Sequence, residues 1–202
     1  MPTLLNESIV SISFDDEDRR VNLVHKPKPR YPGIHESDIL QYVAYEVGWL
    51  KQGERQEEDY PWRWAMGKAW EEYWFSLPWA QEATEWQPGE IVKDEIAGNA
   101  DGLTSDDTWG ILIEETKCTE KKVKTGEELL GERMWMHQGM SYCYLYNTQV
   151  VRWVPQFYRG DYRGSGPIVK TYTVLFSQTE ILQNWSMLRK YRDRVAQSRF
   201  GV

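Results

Sequence analysis

The sequence predicts an α/β fold: a mixed central sheet flanked by helices, with core elements in the order α-β-β-β-α-β. Three observations lead to it. An apolar run, Gly110-Ile-Leu-Ile-Glu-Glu-Thr-Lys-Cys118, sits mid-chain and suits a central strand. Stretches with helical spacing precede and follow it, at 61–77 and 127–146. Shorter strand-like segments at 90–97, 150–158 and 168–176 supply the rest of the sheet. The 202 residues contain no Pro-, Gly- or Ser-rich linker, so the expected organisation is one domain over 1–202.

In chain order, residues 8–14 and 20–25 read as a peripheral hairpin around the acidic turn Asp15–Asp18. After the breaker stretch Lys26–Gly33, Leu40, Val43, Val47 and Leu50 recur at helical spacing from Ser37 onward. Pro61 suits a first helical turn and Pro78 ends the pattern it opens, which places Gly67 and Glu71 one turn apart inside a second helix. Glu90–Ala97 reads as one strand, Gly98-Asn99 as a turn, and a second strand carries Asp101; Thr104–Thr108 reads as a polar turn into the central strand. Side chains two apart share a strand face, so Glu115 and Lys117 point together with Ile113 while Glu114 points away. On the 127–146 helix, Gln138 and Tyr142 are four apart and stack on one face. The Gly160–Gly166 loop joins the last two strands. Ser177-Gln-Thr-Glu180 is a capping box that opens a final helix, with Ile181, Trp185, Leu188 and Val195 on one side and Arg189, Lys190, Arg192 and Arg194 on the other.

Composition excludes several classes of protein. Cys118 and Cys143 are the only cysteines, too few for a disulfide framework, a four-thiolate zinc site or an iron–sulfur cluster. His25, His35 and His137 lack zinc-motif spacing. No run of about 18 apolar residues is present and the start MPTLLNESIV lacks a basic, apolar leader, so a soluble cytoplasmic protein with no membrane association is expected. The eleven Trp and twelve Tyr are spread along the chain, which makes most of them core rather than one ligand box.

The net charge of −7 conceals an asymmetry. Residues 1–116 carry 10 Lys and Arg against 24 Asp and Glu, a net of −14, whereas residues 117–202 carry 14 against 7, a net of +7. An acidic half that holds a cation, joined to a basic half, suits a phosphate-bearing polymer; charge blocks that are merely solvated faces explain the split equally well.

Four short signals follow one another: Gly67-Lys-Ala-Trp-Glu71, Asp101-Gly102, Glu115-Thr-Lys117 and Gln138-Gly-Met-Ser-Tyr142. Each alone has an ordinary reading: a surface ion pair for Glu-x-Lys, a turn for Asp-Gly, a helix-surface pair for Gln and Tyr. Together they supply carboxylates that can share a hard divalent cation, with a lysine on the same strand face.

Their order and spacing over about residues 62–155 resemble the PD-(D/E)XK nuclease superfamily, in particular its RecB-type and lambda-exonuclease-type branches. The resemblance implies a restriction-endonuclease-like core, with the N-terminal hairpin and the C-terminal hairpin and helix as additions. It implies Asp101 as a bridging metal ligand, Glu115 as the second carboxylate ligand, Thr116 as a ligand through its backbone carbonyl, and Lys117 as the catalytic lysine. Glu71 matches the helix acid that follows a Gly by four, which implies a further metal ligand and catalytic carboxylate, and Gln138 and Tyr142 match a motif that contacts the DNA strand and buttresses the site. Ala100 stands where the Pro of the family name would be, and Trp135 has no counterpart. The cofactor expected is Mg²⁺ or Mn²⁺, since hard oxygen ligands disfavour zinc. Lys121, Lys122 and Lys124 follow the central strand and are expected to grip the phosphate backbone at the entrance. The partner implied is DNA, as duplex ends or a single strand, with room for a homo-oligomer and for a single-strand-annealing or recombination protein. Three functions remain: an exonuclease of the phage recombination or repair kind, a structure-specific or restriction-type endonuclease, and a non-catalytic binding module that reuses the fold.

Overall fold

The computed structural model describes residues 1–11, 31–50, 61–77, 84–119, 123, 125–157 and 168–200. In chain order the elements are β1 (Thr3–Ser11), β2 (Ile34–His35), α1 (Glu36–Glu46), α2 (Pro61–Ser76), β3 (Thr84–Trp86), β4 (Ile91–Lys93), β5 (Ile96–Gly98), β6 (Gly102–Asp106), β7 (Gly110–Thr119), α3 (Gly126–Gly131), α4 (Arg133–Tyr146), β8 (Val150–Phe157), β9 (Ile168–Leu175) and α5 (Gln178–Phe200).

Six strands make the main sheet, ordered β1-β9-β8-β7-β6-β3, and β2-β5-β4 make a second, smaller one. β7 and β8 are parallel because the chain between them is spent on α3 and α4, a crossover that returns it to the same end of the sheet. The other pairings of the main sheet are antiparallel, so the sheet is mixed and flanked by helices, as expected.

The core forms around the paired strands. On one face, Ile113, Val151, Trp153, Tyr172 and Val174 pack with Ile39, Leu40, Trp135, Leu145, Ile181, Trp185 and Leu188 from the helices. Around α2, Trp70, Trp74 and Phe75 bury against Val154 and Val169. Five tryptophans, Trp70, Trp74, Trp135, Trp153 and Trp185, are thus core residues, each fully buried large side chain contributing about 1.5–3 kcal/mol. Gly139 lets α4 come down onto the sheet: a Cβ there would lie 2.8 Å from Trp153 Cζ2 and 3.3 Å from Phe176 Cε2.

The structure departs from the sequence expectations at five places. The strand expected over 90–97 is a hairpin, β4 and β5, reversed at Asp94 and Glu95, whose φ of 50° and 61° turn the chain as a two-residue hairpin loop does. The turn expected over 104–108 comes later. β6 runs through Asp106, whose Oδ1 accepts from the Thr108 and Trp109 backbone N–H groups at 2.9 Å and so folds the reversal after it. The helix expected over 127–146 is broken at Glu132, where ψ is 80°, leaving α3, capped by Thr125 and Glu128, and α4. β3 had no counterpart in the sequence reading; only three residues long, it holds its place by pairing with β6.

At the N-terminus, the expected first hairpin arm begins at Thr3, and its partner is β9 at the far end of the chain. The expected second arm at 20–25, the acidic turn before it and the Gly160–Gly166 loop lie outside the described residues. No helix among the described residues is long and apolar enough to cross a membrane.

Candidate active site

The site forms where β6 begins and β7 has run past its pairing with β6. The register ends at Gly102 opposite Glu114, so Asp101 lies level with the stretch from Glu115 onward, with no sheet neighbour between them. Asp101 Oδ2 accepts from the Thr116 backbone N–H at 2.8 Å and from Thr116 Oγ1 at 2.7 Å. A strand residue's N–H and C=O face the same edge, so the Thr116 carbonyl also faces the side that Asp101 occupies.

Glu115 is 3% exposed, and its Oε1 accepts from Lys117 Nζ at 2.5 Å, as their common strand face requires. Glu115 Oε2 is buried with no hydrogen-bond partner. Lys117 Nζ also lies 5.6 Å from the ring centroid of Trp153, the residue opposite Glu115 on β8. Glu114 points the other way, as alternation demands, and accepts from Thr104 Oγ1 and Arg152 at 3.1 and 2.7 Å.

Glu71 reaches the same place from α2, which lies across β7 with Gly67 against Cys118. Both its oxygens are occupied: Oε2 accepts from Lys68 at 2.6 Å, and Oε1 from Gln87 Nε2 at 3.0 Å and Trp86 Nε1 at 3.3 Å. Trp86 and Gln87 follow from β3 and were not singled out in the sequence. The Gln87 backbone N–H also donates to the Asp101 carbonyl at 2.8 Å, so one turn braces both acids.

Gln138 and Tyr142 pair on α4, Gln138 Nε2 donating to the Tyr142 hydroxyl at 2.8 Å. Tyr142 is only 4% exposed, so its hydroxyl is an internal buttress, and Gln138 is the more exposed of the two. Facing them is Glu36, 2% exposed, which sequence reasoning missed. An acid in the first turn of a helix reads as an ordinary partner for its dipole. Only the parallel pairing of β2 with β5, Ile34 to Ile96 and His35 to Ala97, sets Glu36 beside Gly98.

The charges are crowded. Burial pushes the Glu115 carboxyl up to about 8, Asp101 pushing the same way and Lys117 against. Burial, then the Glu71 charge, raises Asp101. Burial alone would lower Lys117, but Glu115 and Asp101 outweigh it and hold the ammonium above the ordinary lysine range. Lys117 among carboxylates therefore stays charged.

Among the described residues no three His, Cys, Asp or Glu side chains form a ready-made metal cluster. The oxygen donors that do fit a hard cation are Asp101, Glu115 through its unpartnered Oε2, and the Thr116 carbonyl. Glu71 would join them only by releasing Lys68 or its Gln87 and Trp86 donors.

Lys121, Lys122 and Lys124 lie outside the described residues. The C-terminal basic face is largely engaged within the chain: Arg192 pairs with Glu95 at 3.1 Å, Arg194 with Glu46 at 3.4 Å and Arg189 with Asp94 at 3.8 Å.

No family model matches the chain, and no curated protein matches it either. Among solved structures, the fold is similar to that of a phage-related exonuclease from Haemophilus somnus 129PT, with a TM-score of 0.51 at 12% identity over 82% of this chain and 82% of that one. A second solved protein, SSO0001, superposes with a TM-score of 0.48 at 14% identity over 82% of this chain and 78% of that one. What the chain shares with the phage-related exonuclease is the fold, a mixed central sheet flanked by helices.

Proposed function

We propose that the chain is a divalent-cation-dependent deoxyribonuclease, an exonuclease that acts on DNA ends in recombination or repair in a bacterial or phage-infected cytoplasm. The observation that carries this reading is the meeting of Asp101, Glu115 and Lys117 where two neighbouring strands part, with an orphaned buried oxygen on Glu115. The nuclease-like fold agrees with it, and the solved relative's description as a phage-related exonuclease favours attack at ends.

Mg²⁺ or Mn²⁺ held by Asp101, Glu115 and the Thr116 carbonyl would supply positive charge at the phosphate and acidity to the attacking water. The chain's own part is to position. Thr116 locks the Asp101 carboxylate through two hydrogen bonds to one oxygen. Lys117 presents a charged ammonium beside these ligands, a clamp for the negative charge that develops on the phosphate. Trp86 and Gln87 hold Glu71 next to Asp101, where it adds negative charge to the cation site. Lys121, Lys122 and Lys124 are proposed to contact the DNA backbone and Gln138 the strand in the site, with self-assembly and a recombination partner as accompaniments of the exonuclease role.

The test is incubation with 5′- and 3′-labelled linear duplex, single-stranded DNA and closed-circular plasmid in Mg²⁺, Mn²⁺ or EDTA, alongside Asp101→Ala. Metal-dependent loss from linear ends, sparing the circle and absent in the variant, is expected. Cutting of the circle makes the chain an endonuclease, and no metal-dependent cleavage of any substrate leaves a binding module.

A further inference from the structure

Trp86 brings an exposed ring to the rim of the site. Trp70, Trp74, Trp135, Trp153 and Trp185 are buried, whereas Trp86 is 41% and Trp109 42% exposed. A lone exposed aromatic is ordinary on a protein surface, so exposure by itself decides nothing. What sets Trp86 apart is how its ring is held. It ends β3, the edge strand of the main sheet, in register with Gly102, the residue that follows Asp101. Gly102 has no side chain with which to cover the indole from the neighbouring strand. The Trp86 Nε1–H donates to Glu71 Oε1 at 3.3 Å, and the ring stacks beside Phe75 of α2 with centroids 6.3 Å apart and planes at 25°. Directly after it the chain turns at Gln87, whose φ is 49° and whose N–H is bonded to the Asp101 carbonyl. Strand, carboxylate, phenyl ring and turn thus fix an indole that meets the site acids with its N–H edge and solvent with its open surface.

That surface lies where a strand laid over Asp101 and Glu115 continues beyond its scissile phosphate. The ring offers no cation for a phosphate, and the exposed Glu85 beside it in the chain repels one. A flat, uncharged group with a π-face is what it can hold, and the part of a nucleic acid that answers to this is the base. A base inside a duplex has both faces covered by its neighbours, so the ring can engage only a base that has left the stack. We propose that Trp86 is the stacking platform for the unpaired nucleobase beside the phosphate that is cut, so that the strand in the site is single where it passes β3. Because every base presents a π-face, the platform carries no sequence preference. The proposal rests on the nuclease reading for the path of the strand, but the stacking itself does not require that DNA be cut.

The experiment is a walk of single abasic positions along a labelled single-stranded oligonucleotide, its affinity read by fluorescence anisotropy in Ca²⁺ for the unaltered chain and for Trp86→Leu, Trp86→Phe and Trp109→Ala. In the unaltered chain one abasic position should weaken binding about tenfold, the size that loss of one stacked base gives. Trp86→Leu should bind the intact strand about tenfold more weakly and should show no further loss at that position, since base and ring act as one contact. Trp86→Phe keeps a ring but not the N–H donor to Glu71, and should retain the position-dependent loss. Trp109 is equally exposed but lies at the reversal between β6 and β7, the opposite end of that hairpin from Asp101, and Trp109→Ala should leave the whole profile unchanged.

Trp86→Leu weakening intact and abasic strands alike reduces Trp86 to a brace for Glu71 and overturns the proposal, as does a Trp86→Phe profile equal to that of Trp86→Leu. Metal-dependent cleavage by a chain for which all abasic positions are equivalent overturns the platform alone. A Trp86-dependent loss at one position in a chain that cuts no DNA upholds the platform and overturns the nuclease reading instead.

Discussion

Replacing Glu115 by Gln is expected to stabilise the cation-free protein at pH 8. Glu115 is 3% exposed, and burial, reinforced by Asp101, raises its carboxyl to about 8. In the unfolded chain the same group titrates near its ordinary value of about 4.3. The folded state thus holds the proton more tightly, so its advantage is intact below pH 4–5, falls by about 1.4 kcal/mol per pH unit above that, and is lost once the pH reaches about 8. Carried over that window the cost approaches ~5 kcal/mol. Gln has nothing to ionise, but it leaves the Lys117 ammonium without its ion-pair partner, which costs about 3 kcal/mol. A net gain of roughly 2 kcal/mol corresponds to about 4–8 °C in Tm for a chain of this size. Scanning calorimetry in EDTA at pH 5 and pH 8 measures it: the variant should match the unaltered protein at pH 5 and melt about 4–8 °C higher at pH 8. Saturating Mg²⁺ or Mn²⁺ should raise the Tm of the unaltered protein by mass action and leave the variant nearly unmoved. A variant that melts lower at pH 8 than the unaltered protein, or gains as much from Mn²⁺, refutes the reasoning.

Three other outcomes are expected. Lys117→Met should fold normally and lose at least a hundredfold in kcat on linear duplex, because it removes the charge beside the phosphate; unchanged turnover sinks its assignment. Arg152→Met strands Glu114, which is fully buried and already raised to about 7 first by burial, and should cost about 3 kcal/mol at pH 8. At pH 5, where the carboxyl is protonated in the fold, the loss should shrink by half or more, and urea titrations at the two pH values read the difference. Arg194→Ala and Arg192→Ala should change DNA affinity less than twofold in a filter-binding assay, because these side chains are paired with Glu46 and Glu95; a tenfold loss would place DNA on α5.

Much of the fold can be read along the chain, because its signals are local. β7 is recognisable from its apolar run, α2 from Pro61 and Pro78, and α5 from the Ser177 and Glu180 box, which forms with Ser177 N–H donating to Glu180 at 3.0 Å. The face shared by Glu115 and Lys117 follows from the two-residue period of a strand, and the ion pair between them obeys it. The features read wrongly are those a neighbour decides. Thr104–Asp106 is polar enough for a turn, yet pairing with Gly110–Leu112 on β7 extends it as strand. Glu132 interrupts a stretch whose composition would continue a helix, and β3 is too short to show any period of its own.

From its residues alone, the chain declared an α/β fold and the acids and lysine suited to a cation and a phosphate, since strand and helix periods are properties of neighbouring residues. Which acids meet was decided only by the tertiary structure. Glu71 stands 30 residues ahead of Asp101 and is brought beside it by α2 lying across β7, while β3 supplies Trp86 and Gln87 to hold it there. Glu36 enters the site through the pairing of β2 with β5, although no local pattern marks it. Burial did the rest: by removing water from around Glu36, Asp101 and Glu115 it raises all three above the ordinary carboxylate range, and Glu115 and Asp101 hold Lys117 above the ordinary lysine range.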